Sequence, residues 1–343
     1  MSAGNDIYKF RSISEFLDVT ALDGGAGLDM LRFVGADGSL ETATGGAMVD
    51  ADFAGITNFE SMKVGNGNWD IDLGANAKNA FTGGVALVSA TETTDQLWVQ
   101  VRAGGPTLYA IGSAGNDRLY GGGGDDTLNG GAGNDTFTFY GNTLTSGDTV
   151  NGGSGYDVLR LLDSATLGDD AFTNVSNIEA ISVGAGAYSL TFGAEAMAAF
   201  DGGNVRVHAV QSTDTEVDAS ALGRDGYRFA FTGGDGVDSV KLGGNIATVT
   251  GGGGADEFIL TKNAFYKGVI TDFQDGIDHL VIQQSDLPPT LDTPEEWDAL
   301  IASITSDTAD GLLLDGNALG LGGTLTLAGV TKAEFDHHDF ILV

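Results

Sequence analysis

Aspartate recurs along this chain at a spacing that could do chemistry. Three contiguous nine-residue units, 112–120, 121–129 and 130–138, each put Asp at position six and an apolar residue at position eight: Asp117 and Leu119, Asp126 and Leu128, Asp135 and Phe137. Gly112 and Gly115, Gly122 and Gly124, and Gly131 and Gly133 punctuate them. The pattern returns with Asp29, with Asp157, with Asp238, and with Asp256, the last following Gly252 and Gly254. Between these last two, residues 242–250 keep Val249 at position eight and lose the Asp, a decayed unit. Glycine lets the backbone take left-handed bends that bring carbonyl oxygens close together, and the triplet around position eight forms a short strand with one inward side chain. Carboxylates and carbonyls with no His or Cys beside them make a hard, all-oxygen donor set, which selects a hard cation. Asn116, Asp125, Asn134 and Asp235, at positions three to five, are primarily turn formers and secondary ligand candidates.

Composition narrows what such a cation serves. The 343 residues carry 48 acidic against 15 basic side chains, a formal charge of −33. That balance opposes phosphate backbones and anionic lipid surfaces, so neither nucleic acid nor a charged membrane is an expected partner. At 42% hydrophobic residues, 18 Phe included, the chain is too apolar for a solvated acidic tail and should fold around a core. Its 55 glycines follow no three-residue period, which excludes collagen. The absence of cysteine removes disulfides, thiol nucleophiles and zinc-thiolate sites together. No basic region followed by an apolar run opens the chain, so no Sec-type leader is expected, and no stretch approaches the ~18 apolar residues of a membrane-spanning helix.

Catalytic patterns are missing. His208, His279, His337 and His338 lack metalloprotease spacing, and no serine is flanked by the glycines of a nucleophile elbow. The glycine runs 121–124 and 251–254 are not followed by the Lys-Ser/Thr of a phosphate loop. Asp70 and Asp72 fall on the outward face of an alternating strand, without the glycine and distal glutamate of an EF-hand. Trp69, Trp98 and Tyr188 read as core or stacking residues before they read as a sugar platform. The chain is therefore not expected to be an enzyme; a polysaccharide-active site would have to use carboxylates such as Asp70, Asp72 or Glu179.

A longer period overlies the short one. Residues 24–31 match 152–159, 53–64 match 172–183, 69–75 match 188–194, and the repeats at 112 match those at 233, all near an offset of 120. This implies two homologous modules, 1–140 and 141–268, each ending in nonads, followed by a C-terminal region, 269–343. Trp69, Ile71 and Leu73, like Tyr188, Leu190 and Phe192, alternate as strands do. One helix is expected from Pro294 to about Ser306: Thr293 and Glu296 form a capping box, Pro294 sits at the first position, and Trp297, Leu300, Ile301 and Ile304 share a face. Residues 4–8 hold positions four to eight of another nonad, so no catalytic domain is expected before them.

These Gly-Gly-x-Gly-x-Asp nonads, in an acidic, cysteine-free chain, resemble the RTX family of type I secreted proteins. Residues 269–280 resemble the segment that closes RTX β-rolls, and 324–330 with 339–343 resemble the uncleaved C-terminal secretion signal. The resemblance implies an all-β fold, a parallel β-roll or β-solenoid with Ca²⁺ in its nonapeptide turns, plus a small C-terminal cap carrying one helix. In such a fold coils stack about 4.8 Å apart, and two bare carboxylates at that separation repel by about 3 to 4 kcal/mol at an effective dielectric near 20. A flexible oxygen cage suits Ca²⁺ better than Mg²⁺. The resemblance also implies export by type I secretion machinery and folding outside the cell on calcium. In texture the chain is similar to RTX surface-layer proteins, which implies self-assembly on a Gram-negative cell surface or in its matrix, with cell-surface polysaccharide as a further partner. A monomeric adhesin or carbohydrate-binding module is the alternative.

Overall fold

A nonad contains one glycine bend and one short strand, so two nonads are needed for the chain to come back over itself. The computed structural model, which describes residues 3–91, 93–222, 227–243, 246–262, 267–283 and 293–343, shows this in its register. Arg118–Tyr120 pairs in parallel with Thr136–Tyr140, while Thr127–Ala132, from the nonad between them, pairs with Thr107–Ile111 and Thr149–Ser154 in a different sheet. Alternate nonads therefore share a sheet.

Contacts divide the chain into two compact units, Met1–Arg160 with Asn174–Ile178, and Leu161–Thr173 with Glu179–Val343. In the first, an eight-stranded parallel sheet runs Ile7–Phe10, Met30–Phe33, Ser61–Lys63, Val85–Ser89, Thr107–Ile111, Thr127–Ala132, Thr149–Ser154, Val175–Ser176. A second sheet of that unit contains Gly46–Met48, Trp69–Leu73, Leu97–Val101, Arg118–Tyr120 and Thr136–Tyr140 in spatial order. The second unit repeats the plan, with a seven-stranded sheet from Ala165–Leu167 to Phe340–Leu342. Its other sheet continues through Arg228–Thr232, Ile246–Thr250, Lys267–Ile270 and Thr324–Ala328, and ends in antiparallel Gly311–Asp315 and Thr305–Thr308. The fold is all-β, a parallel β-roll with few helices.

The position-eight residues Leu119, Leu128, Phe137, Leu159, Val240 and Phe258 are fully buried. Each side chain of this size contributes roughly 1.5–3 kcal/mol by leaving water.

The expected boundaries differ from the observed division. Residues 141–160 stay in the first unit because Thr149–Ser154 continues its sheet in register, and 269–343 belong to the second because Phe340–Leu342 pairs with His279–Ile282. The helix Pro294–Ile304 forms with the expected capping box, and Ile301 and Ile304 are buried. Three further short helices were not legible from the sequence. Ile13–Leu17 buries Phe16 against Phe10, Phe33 and Phe53. Ala75–Ala80 and Ala194–Ala199 occupy equivalent places in the two halves, each capped by a distant aspartate. Asp50 accepts the N–H groups of Gly74, Asn76 and Ala77, and Asp169 those of Gly193, Glu195 and Ala196. Asn58 and Asn177 likewise share a left-handed backbone (φ 59° and 53°).

Asp72 departs from the expected outward carboxylate pair. It is buried and ion-paired with Arg102, whose Nε lies 2.7 Å from Oδ1, whereas Asp70 is exposed.

Candidate metal centre

Because coils advance by two nonads, the position-six aspartates sort into separate rows. In the first unit Asp117, Asp135 and Asp157 follow one another on one side: the N–H of Asp117 donates to Asp135 Oδ1 (2.7 Å), and that of Asp135 to Asp157 Oδ1 (2.7 Å). Asp126 belongs to a different row, in which its N–H donates to Asp148 Oδ1 (2.8 Å). Near the start of the unit, Asp29 Oδ1 accepts from the N–H of Asp6 (2.8 Å), and the N–H of Asp29 donates to Glu60 Oε2 (2.5 Å). In the second unit Asp238 donates its N–H to Asp256 Oδ1 (2.9 Å) and Asp256 to Asp278 Oδ1 (3.0 Å).

All seven predicted position-six carboxylates, of Asp29, Asp117, Asp126, Asp135, Asp157, Asp238 and Asp256, are at most 1% exposed. Their partners divide them. Asp126 uses both oxygens on main-chain N–H groups, of Leu108 and Gly122, as Asp117 does on those of Leu97 and Ser113 and Asp238 on those of Thr215 and Gly234. Oδ2 of Asp29, of Asp135 and of Asp256 is buried with no hydrogen-bond donor. Among the described residues, ion pairs are made by Asp72, Asp218, Asp298 and Asp336 and by none of these three. An ionised carboxylate buried this way costs several kcal/mol unless a cation meets it. Burial pushes the Asp135 and Asp256 carboxyls up to about 7 and Asp126 to about 6, and neighbouring aspartates add to each shift. Asp117, Asp148, Asp238 and Asp278 are raised for the same first reason.

The glycines fit the same cation. A Cβ on Gly131 would collide with the carbonyl oxygen of Ser113, and one on Gly133 with that of Gly115. Gly133 also has φ 111°, which side-chain-bearing residues rarely adopt. Gly252 and Gly254 press in the same way on the carbonyls of Gly234 and Gly236, while Gly112 leaves room for Asp117 Oδ2 and the Gly130 carbonyl. A carboxylate and a carbonyl oxygen come together beside Gly112, beside Gly130 (Asp135 Oδ2 and the Gly152 carbonyl) and beside Gly233 (Asp238 Oδ2 and the Gly251 carbonyl), and this oxygen-only set fits Ca²⁺. The ion would be held by the donor-free oxygen of Asp135 with the Gly152 carbonyl beside it, and by the donor-free oxygen of Asp256. Gly122 and Gly124 differ: the first meets the Val101 side chain, the second only Thr107 Oγ1 at 3.1 Å.

The secondary candidates have structural work. Asn116 Oδ1 accepts from the N–H of Asn134 (2.7 Å), and Asn134 Oδ1 from that of Tyr156 (2.9 Å), a side-chain ladder outside the carboxylate row. Asp125 and Asp235 are exposed turn residues. The residues that sequence reasoning left out of the rows are Glu60, Asp148 and Asp278. Asp148 and Asp278 each precede an apolar residue by two, Val150 and Leu280, which is the surviving trace of positions six and eight. In addition, Asp272 binds the N–H groups of Gly251 (2.9 Å) and Gly252 (2.8 Å), closing the turn below Asp256.

Residues 109–137 and 144–161 match the family model of the RTX calcium-binding nonapeptide repeat, in four copies. The match spans Asp117, Asp126, Asp135, Asp148 and Asp157, and Asp238 and Asp256 repeat its geometry outside it. No curated protein and no solved structure matches the chain. Oxygen-lined turns, carboxylates buried without donors and the matched repeats converge on one assignment: the chain carries RTX-type nonapeptide repeats, and these bind calcium.

Proposed function

We propose that the chain is a secreted structural protein, exported by type I machinery, that folds on calcium outside the cell and self-assembles at the cell surface or in the extracellular matrix. The observation that carries the calcium step is the set of buried carboxylate oxygens at Asp29, Asp135 and Asp256 that no protein donor reaches. Where calcium is scarce, a charge of −33 favours the expanded chain; where it is abundant, ion binding to the folded form alone adds about 4 kcal/mol per site at a thousandfold excess over Kd. Assembly is supported by open strand edges. Each unit carries a parallel sheet that ends, among the described residues, on a strand paired on one side only, Ile7–Phe10 in the first and Phe340–Leu342 in the second. Such edges template pairing with another chain. Electron microscopy with calcium and with chelator tests this. Ordered arrays or filaments only with calcium are expected; monodisperse particles in both conditions overturn it.

A groove in the first unit favours carbohydrate binding as a second reading. It encloses about 640 Å³, and its lining includes Lys78, Gln100, Arg102 and Tyr140 but no carboxylate, although acidic residues outnumber basic ones 48 to 15 overall. Tyr140 ends a ring ladder running from Trp98 through Tyr120, with centroids 6.1 and 6.4 Å apart. Acidic polysaccharide retarding the protein in affinity electrophoresis, with the effect lost in Lys78→Glu, supports this reading; equal mobility with and without the glycan sinks it. No catalytic role is proposed.

A further inference from the structure

Two of the chain's four histidines are adjacent, His337 and His338, and they stand on a turn that the calcium rows do not use. The turn is fixed from several directions. Asp336 caps the short helix His337–Asp339 and accepts the N–H of His338, while Asp339 returns a hydrogen bond to the N–H of Asp336 (2.8 Å). Buried Phe335 packs against Phe273 and Phe340 at 5.9 and 5.3 Å, and Trp297 of the helix Pro294–Ile304 covers Phe340 at 5.6 Å. That helix also delivers Asp298, whose Oδ1 lies 3.1 Å from Nδ1 of His337; Nδ1 of His338 lies 2.9 Å from Asp336 Oδ1. The two imidazole centroids are 4.0 Å apart, and Asp336, His337 and His338 can each offer one ligand atom with all three within 4.8 Å of one another.

We propose that Asp336, His337 and His338 form a second metal site, for a borderline divalent cation such as Zn²⁺ or Cu²⁺, separate from the calcium turns. Imidazole nitrogen is a poor ligand for calcium and a good one for these ions, and two nitrogens with one carboxylate leave coordination positions open to water or another group. A carboxylate on the far nitrogen of a ligating imidazole fixes the ring's tautomer and orientation; Asp298 stands in that position toward His337. Asp298 is thus a positioning residue, and the site is assembled from the C-terminal turn and the preceding helix.

The test is calorimetric titration of ZnCl₂ into tag-free protein held in excess calcium, with Cu²⁺ paramagnetic resonance as a second readout. One saturable zinc site is expected, lost in His337→Ala and in His338→Ala, and weakened about 10-fold in Asp298→Asn. The Cu²⁺ spectrum should show coupling to two imidazole nitrogens, and calcium-dependent melting should be unchanged in all three variants. His338→Gln, which keeps a polar side chain at the exposed position, guards against a folding defect. Absence of saturable zinc binding overturns the site, as does binding that survives both alanine variants.

Discussion

The same residue type does two different jobs in this molecule. At the base of each short helix, Asp50 and Asp169 place both oxygens on three main-chain N–H groups, so the protein alone satisfies the charge. In the repeat rows, Asp135 and Asp256 each spend one oxygen on an N–H of the preceding coil and leave the other buried without a donor. The difference shows which part of the fold stands unaided and which part waits for an ion. A glycine turn stacked on another glycine turn crowds acceptors together, whereas a helix start presents only donors.

Removing calcium is the widest way to test that contrast. Thermal unfolding followed by circular dichroism should show a loss of about 4 kcal/mol for each site vacated from a thousandfold excess, and identical melting in calcium and in EGTA would erase the distinction. Next in size is Asp135→Asn or Asp256→Asn. Each should abolish one site's share of the calcium-dependent stabilisation, yet in EGTA each should be at least as stable as the parent, because a neutral amide can still accept the N–H. A loss of equal size in both conditions would assign these residues to ordinary hydrogen bonding.

The pH dependence should reverse with the metal. With Asp135 and Asp256 raised to about 7 in the ion-free fold, against 3.8 ordinarily, the native state holds the extra protons between pH 4 and 7. Stability in EGTA is therefore greatest at the acid end of that window and falls as pH rises through 7. In calcium the carboxylates are held ionised, so stability falls as pH drops. Melting temperatures at pH 5 and pH 8, with and without chelator, should cross; parallel trends would count against ion-compensated rows. The smallest effect belongs to Asp50→Ala and Asp169→Ala. Each should cost about 1–2 kcal/mol whether or not calcium is present, as loss of a helix cap does.

The repeat chemistry was legible because nine-residue spacing puts Gly, Asp and the inward apolar residue in fixed relation within one turn. Which aspartates face one another was not, because that depends on coil length. Asp117 and Asp135 are 18 residues apart, Asp126 and Asp148 are 22, and Asp29 and Glu60 are 31. Asp148 escaped notice because Thr143 and Ser146 stand at positions one and four of its turn, where the strict repeats use glycine, and Thr145 donates both N–H and hydroxyl to its Oδ2. Asp72 looked solvent-facing from alternation alone, since strand periodicity does not reveal that Arg102 will fold over it. The capped helices were hidden for a similar reason: Asp50 lies 24 residues before Gly74, far outside any local capping signal.

The hydrogen bonds along the rows all run in one direction. From Asp6 to Asp29, Leu97 to Asp117, Asp126 to Asp148 and Asp238 to Asp256, the main-chain donor belongs to the earlier coil and the carboxylate to the later one. Each coil is completed by its successor. A chain that orders from its carboxyl end therefore gives every arriving loop a waiting acceptor, while one that orders from its amino end always carries an unanswered donor at its growing tip. The rows act as a one-way zipper.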